Sequence, residues 1–204
     1  MKHIQAAASK KIADASKLVQ AVHALDGAGQ YSKSLYEREV VTSACFLNIF
    51  IALEEFFEQS FGHYAMGKMS TAKWRPSKYA RPPSQTHAQA MFIGFQRFMD
   101  WSTPDRVVAL AKLYFANGEP FVVPVNSALS HLQMMKTVRN ATAHMSLTTQ
   151  ASLDAVYSRW SGMPLVGSTP YGMLMSVKPS TSQTFYGASE QTVTAIISQV
   201  SSHS

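Results

Sequence analysis

Apolar residues recur at three- and four-residue steps from the first turn of the chain. Ile4, Ala8, Ile12, Ala15, Leu18, Val19, Val22 and Leu25 share a face, with Lys10, Lys11, Asp14 and Lys17 elsewhere, the pattern of an amphipathic helix. Gly27 and Gly29 should end it. A second helix is expected from about Ser34 to Phe61, with Val41, Ala44, Cys45, Ile49, Leu53, Phe56, Phe57 and Ser60 along its stripe and Gly62 at its end. Phe46, Phe50 and Ile51 make it apolar on further faces, so it should be central, packed on several neighbours or across a dimer seam. Residues 63–87 break the period with Trp74-Arg75-Pro76 and Lys78-Tyr79-Ala80-Arg81-Pro82-Pro83. Prolines at that spacing predict an exposed loop.

A third helix follows, carrying Ala88, Met91, Phe92, Phe95, Phe98 and Met99. Thr103-Pro104-Asp105 reads as N-cap, N1 and N2 of a fourth helix, with Val107, Val108, Leu110, Ala111, Tyr114 and Phe115 inside it and Asn117-Gly118 at its end. Phe121-Val122-Val123-Pro124-Val125 is β-branched and predicts an extended connector or one short strand. Asn126 should cap a fifth helix bearing Leu129, Leu132, Met135 and Val138. The Ser/Thr-rich segment Met145 to Gln150 predicts a loop, and Leu153, Val156, Tyr157 and Trp160 a short sixth helix. Gly162 to Gly187 has no clear period; Thr192 to Val200 reads as a last short helix, with Ser201 to Ser204 expected to fray. The reading is one all-α domain over residues 1–204: a helical core of about 1–160 and an irregular C-terminal region over 161–204.

Composition narrows the function classes. Of 204 residues, 46% are hydrophobic and 15% charged, against about 25% charged in ordinary soluble domains. The shortfall points to extra buried surface, such as a homodimer interface. One cysteine, Cys45, excludes a disulfide framework and a multi-cysteine zinc site; in its apolar stripe it reads as a small buried hydrophobe. The longest apolar stretch, Ala44 to Leu53, holds Asn48 and is about half a membrane span. The first residues lack the apolar run of a secretory signal. A soluble, cytoplasmic protein off the membrane is expected. The net charge of +6 permits a polyanionic partner but is also simply a solubilising charge.

One segment concentrates chemistry. Lys136-Thr137-Val138-Arg139-Asn140-Ala141-Thr142-Ala143-His144 places Arg, Asn and His close together, separated by small residues. Arg offers a planar fork for phosphate oxygens, His moves a proton near neutrality, and Asn can bind phosphate or fix an imidazole tautomer. Asn140 and His144, four apart, share a helix face. Arg139 and His144, five apart, diverge on an ideal helix, so they converge only if the helix bends or breaks or a second subunit supplies one. No acidic cluster adjoins them, so neither a metal nor another cofactor is called for. The plainer alternative is an Arg reaching solvent and a His satisfying a core hydrogen bond.

Arg139-Asn140-Ala141-Thr142-Ala143-His144 resembles the R-x4–6-H motif of HEPN domains, in the form with Asn after Arg and small residues before His. Val41 to Phe61, with Leu53-Glu54-Glu55-Phe56-Phe57, is similar to the long helix of HEPN proteins in small bacterial defence and toxin systems. The resemblance covers residues 1 to about 160. It implies a helical bundle that dimerises and brings two motifs into one cleft. It also implies a metal-independent endoribonuclease, a toxin or antiphage effector. Catalytic roles would fall to His144 in proton transfer for 2′-hydroxyl attack, Arg139 on the phosphate oxygens and Asn140 in orienting the site. Other HEPN members are non-catalytic modules that bind nucleotide, RNA or a partner protein. Met145 stands where the commonest pattern has Gly after the His. A toxin also implies an antitoxin or regulatory partner.

Two further groups are weaker candidates. Lys73, Trp74, Arg75, Lys78, Tyr79 and Arg81 form the densest basic-aromatic cluster, which suits a single RNA strand through phosphate contacts and base stacking. A solvated loop is the alternative. Glu54 and Glu55, with Glu58 a turn on, read as a polar strip on an apolar helix, one of which could support Arg139. No His pair has metal-ligand spacing with a carboxylate or Cys beside it.

Overall fold

The computed structural model describes residues 1–94 and 99–204, and it is all-α apart from one short hairpin. The helices are α1 (Lys2–Val22), α2 (Leu35–Ala65), α3 (Gln85–Ile93), α4 (Pro104–Tyr114), α5 (Val122–Ser127), α6 (Leu129–Ala143), α7 (Leu147–Ser161), α8 (Pro170–Met175) and α9 (Phe185–Ser201). Strands β1 (Val177–Lys178) and β2 (Gln183–Thr184) pair antiparallel, Val177 opposite Thr184. Phe95 and Phe98, expected on the third helix, lie outside the described residues.

The chain divides into two compact units: residues 1–9, 52–132 and 193–204 form the first, and 10–51 with 133–192 the second. In the first unit the core is aromatic. Phe61 of α2 has the rings of Phe92, Trp101, Phe115 and Phe121 around it at 5.7, 5.0, 5.6 and 3.9 Å between centroids. Tyr64, fully buried, donates its hydroxyl to the Val200 carbonyl at 2.7 Å. That carbonyl lies in the last turn of α9, where no helical N–H follows to take it. In the second unit Ile12, Phe46, Ile49, Val138, Leu153 and Phe185 are buried. Trp160 packs edge-on to Phe185 at 5.2 Å and donates its indole N–H to the Ser176 carbonyl at 3.0 Å, so its one polar atom is satisfied.

The helix boundaries differ from expectation where a cap or a buried contact decides. Gly62 does not end α2; His63, Tyr64 and Ala65 are buried beyond it, and the missing Cβ admits the Gln85 side chain. Thr103 precedes α4 as expected, but its hydroxyl donates to Asp100 at 2.5 Å instead of capping the helix. Residues 122–127 are helical rather than extended. Pro124 sits in the first turn, where no intrahelical N–H bond is lost, and Phe121 and Val125, one turn apart, are both buried. Asn126 therefore lies inside α5 and does not cap the next helix. The Ser/Thr run after Met145 is a helix start: Ser146 caps α7 through a reciprocal bond pair with Thr149. The last helix begins at Phe185, and its end is held. Thr71 gives both its backbone N–H and its hydroxyl to the Ser201 carbonyl, at 2.8 and 3.0 Å, and Ser70 donates to the His203 carbonyl at 2.8 Å.

α2 is long and apolar enough to cross a membrane by length and composition, and half of its most apolar window is buried within the protein. Cys45 is buried at 2% exposure, as expected of a core hydrophobe.

Tyr64→Phe should lower stability by about 1–2 kcal/mol, because it strands the buried Val200 carbonyl. Phe61→Ala should lower it by about 3–5 kcal/mol through lost packing and a cavity. Urea unfolding followed by circular dichroism measures both.

Candidate functional site

The chemistry-bearing segment is the last turn of α6 and the turn after it. Val138 and Ala141 are buried and fix the rotation of α6 in the second unit. Arg139 and Asn140, on other faces, are half-buried. Arg139 donates from Nη1 to the Asn140 Oδ1 at 3.3 Å, so the amide orients the guanidinium. The helix breaks just past the motif. The backbone N–H of His144 makes the final helical bond, to the Asn140 carbonyl at 2.8 Å, and His144 itself is exposed. The turn over residues 144–146 is locked from α7: Thr149 donates its hydroxyl to the His144 carbonyl at 3.0 Å and accepts the Ser146 N–H at 2.6 Å. The imidazole is thus carried on an exposed but tied-down backbone. Thr142, between Arg139 and His144, bonds back to the Val138 carbonyl at 2.7 Å.

Thr142 also lines a groove of about 400 Å³. Its other walls are Tyr36, Val40, Ala44 and Leu47 of α2 and Pro170 and Tyr171 at the start of α8, with Glu39 as its one acid. Tyr171 is held from behind. Its ring stacks on His23 at 6.0 Å and 14°, and its hydroxyl accepts from Arg38 Nη1 at 3.4 Å. Burial, with Arg38 adding to it, pushes the His23 imidazole below its ordinary range, so this stack is formed by a neutral ring near neutrality.

The entry to α8 is set by Asp154 of α7. Its carboxylate accepts the Ser168 hydroxyl at 2.5 Å, the Ser168 and Gly167 N–H groups at 2.8 and 3.1 Å, and the Gln150 amide at 2.9 Å. These bonds, the Ser168 hydroxyl first, hold the carboxyl down at about 2. Thr169 then caps α8 by accepting the Gly172 N–H at 2.9 Å, with Pro170 in the first helical position.

The remaining sequence candidates lie in the first unit. Glu54 and Glu55 are half-buried on α2. In the basic loop, Lys73, Arg75, Tyr79 and Arg81 are exposed. Trp74 is half-buried, its ring set edge-on against His203 at 4.3 Å and Tyr64 at 6.2 Å. Lys78 donates its ammonium to the Ala65 carbonyl, capping the end of α2, and burial lowers its pKa. The loop is therefore anchored at Trp74 and Lys78, and its free chemistry is carried by the other four. Among the described residues no group of three or more His, Cys, Asp and Glu could hold a metal ion.

Sequence reasoning did not single out Thr142, Thr149 or Asp154 as site residues. The Ser146-x-x-Thr149 spacing was a readable cap signal; the Asp154 contacts, made across a loop, left none. No protein-family model matches the chain, and neither a curated protein nor a solved structure does.

The Asp154 carboxyl is depressed in the folded protein, so its stabilising effect is complete above about pH 4 and lost as pH falls toward 2. Amide protection of Gly167 and Ser168 should fall across that window in the wild type. In Asp154→Asn it should be lower at neutral pH and flat across the same window, as hydrogen exchange would report.

Proposed function

We propose that the chain is a metal-independent endoribonuclease of the HEPN type, with Arg139, Asn140 and His144 as its catalytic group. The observation that carries this reading is an Asn140-oriented Arg139 in the last turn of α6, followed by an exposed His144 on the turn that ends the helix. α6 continues through Ala143 and the His144 N–H still makes a helical bond, so within one chain Arg139 and His144 keep the divergence of residues five apart, and the reading needs a second copy to bring one of each together. His144 takes the proton of a ribose 2′-hydroxyl, whose oxygen bonds to the adjacent phosphorus as the bond to the 5′-oxygen breaks. Arg139 stabilises the charge that builds on the non-bridging oxygens. The leaving oxygen collects a proton from water or from the imidazole of a second copy. The products are a 2′,3′-cyclic phosphate and a 5′-hydroxyl.

The site works in a homodimer in this reading, with two motifs in one cleft. Exposed apolar side chains in the second unit, among them Tyr36, Leu147 and Val166, support a covering partner of that kind. Lys73, Arg75, Tyr79 and Arg81 supply secondary contacts to the RNA strand. The biological setting is a cytoplasmic toxin or antiphage effector held in check by an antitoxin or regulatory protein. A second reading has its own support: the groove beside Thr142 is apolar and holds an acid, Glu39, which suits a protein segment better than a phosphate backbone. On that reading the motif belongs to a non-catalytic module.

Purified protein should cut RNA in EDTA and leave cyclic-phosphate ends. His144→Ala should reduce cutting by about 10²–10⁴-fold, with its thermal midpoint unchanged because His144 is exposed, and Arg139→Ala should reduce it by about 10²–10³-fold. Cleavage retained by His144→Ala would sink the catalytic reading, and intact RNA with wild type would favour the binding module.

A further inference from the structure

The first unit contains two adjoining cavities that share the side chains of Glu58 and Gln89 in their walls. The larger, about 450 Å³, is polar and carries three nitrogen bases, His3, His63 and Lys68, together with the amides of Gln59 and Gln85. The smaller, about 200 Å³, is walled by Phe92, Ile93, Met99 and Trp101. One chamber is lined by nitrogen groups and amides, and the other is apolar and aromatic.

The polar chamber is built on residues fixed from several sides. His63 is 7% exposed, and its Nε2 bonds the Met69 carbonyl at 2.8 Å. A carbonyl only accepts, so Nε2 carries the hydrogen; Nδ1 is the ring atom a ligand can use, accepting from a ligand O–H when the ring is neutral and donating to an anion once the anion draws a proton onto it. The rings of His3 and His63 lie 6.5 Å apart. Burial holds the His63 pKa down, against the bond to Met69, and the charges of the Met1 amino group, Lys68 and His3 add to it. An anion placed among these groups relieves that repulsion. Gln85 reaches the chamber across Gly62, where any larger residue would collide with it. Glu58 is the one acid in the lining; a carboxylate accepts hydrogen bonds, so it is matched by hydroxyl or amino donors on the same ligand.

We propose that these paired chambers bind a phosphomonoester bearing a flat ring system, the chemistry of a free mononucleotide. The phosphate sits among His3, His63 and Lys68. Sugar hydroxyls donate to Glu58. The base enters the smaller chamber against Trp101 and Phe92, with Gln89 at its edge. The larger chamber alone falls within the size range of small-molecule sites, and aromatic walls hold any base through its π face. Arg139, Asn140 and His144 belong to the other unit, and this inference does not rest on the ribonuclease reading.

The test is binding of AMP, GMP, UMP and CMP to the full chain, by calorimetry and by NMR of the tryptophan indoles, with adenosine and inorganic phosphate as controls. The expected result is a mononucleotide affinity at least tenfold above that of either control, with the Trp101 indole resonance shifting on binding. Lys68→Ala and His3→Ala, both at exposed positions, should each weaken binding at least fivefold while leaving RNA cleavage, or its absence, as in wild type. His63→Gln should weaken it more, and its circular dichroism would show that the fold is kept. Mononucleotides that bind no better than phosphate, or that bind Lys68→Ala and His3→Ala as tightly as wild type, would overturn the proposal. So would an equal affinity for adenosine.

Discussion

A single helix that has to bury several faces at once is the constraint on which the rest of this protein depends. α2 runs over Leu35–Ala65, and it supplies Cys45, Phe46, Ile49 and Phe50 to the core of the second unit and Phe56, Phe57, Phe61 and Tyr64 to that of the first. Fully burying one such large side chain is worth about 1.5–3 kcal/mol, so no arrangement that exposes α2 is competitive. Phe61 gathers the rings of Phe92 in α3, of Phe121 just before α5 and of Trp101 and Phe115 on either side of α4, and Phe46 meets Phe185 of α9 at 6.4 Å. Of the polar residues that interrupt α2, Thr42 and Ser60 are buried, while two acids face cavities. Glu58 opens onto the paired cavities of the first unit, and Glu39 onto the groove of the second.

The fold class was legible because helical period is a repeated signal. Ile4 to Val22 and the stripe from Cys45 to Phe57 each offer many coincident positions, and errors at single residues average out. What the sequence hid was decided by contacts made once. Residues 122–127 look extended by propensity, yet the burial of Phe121 and Val125 one turn apart outweighs it. Gly62 looks like a terminator, yet it admits Gln85 inside a continuing helix. The Ser and Thr residues after Met145 look like loop because the same side chains serve turns and caps; only their spacing, Ser146 to Thr149, separates the two uses.

The candidate site was legible in a different way. Arg139, Asn140 and His144 stand out because their functional groups are unusual in a short run of small residues, and the structure adds the reason the run is built so. Ala141 is buried against the core, which rotates Arg139 and Asn140 outward. The groove around Thr142 was not legible at all. Its far wall comes from Pro170 and Tyr171, whose position depends on Asp154 holding Ser168 and Gly167. A carboxylate accepting three hydrogen bonds from a loop more than ten residues away has no local pattern to announce it.

Helix electrostatics bear directly on what the α6–α7 turn can hold. The C-terminal end of α6 carries partial negative charge, which repels a phosphate. The guanidinium of Arg139, in the last turn, opposes that field, and its bond to Asn140 keeps it from swinging away to solvent. The N-terminal end of α7 follows within the same turn and contributes the opposite sign. Two of its donors are already spent, however, since Ser146 and Thr149 bond each other. The net attraction for an anion at His144 therefore rests mainly on one arginine per chain. A single guanidinium holds a phosphate oxygen well but gives little affinity for a long polyanion, whose binding grows with the number of phosphates neutralised. An RNA-cutting site of this construction needs either a second copy of the motif opposite it or the exposed cations of the first unit. On the ribonuclease reading, the motif of one chain therefore does not suffice, and one of those two sources has to complete it.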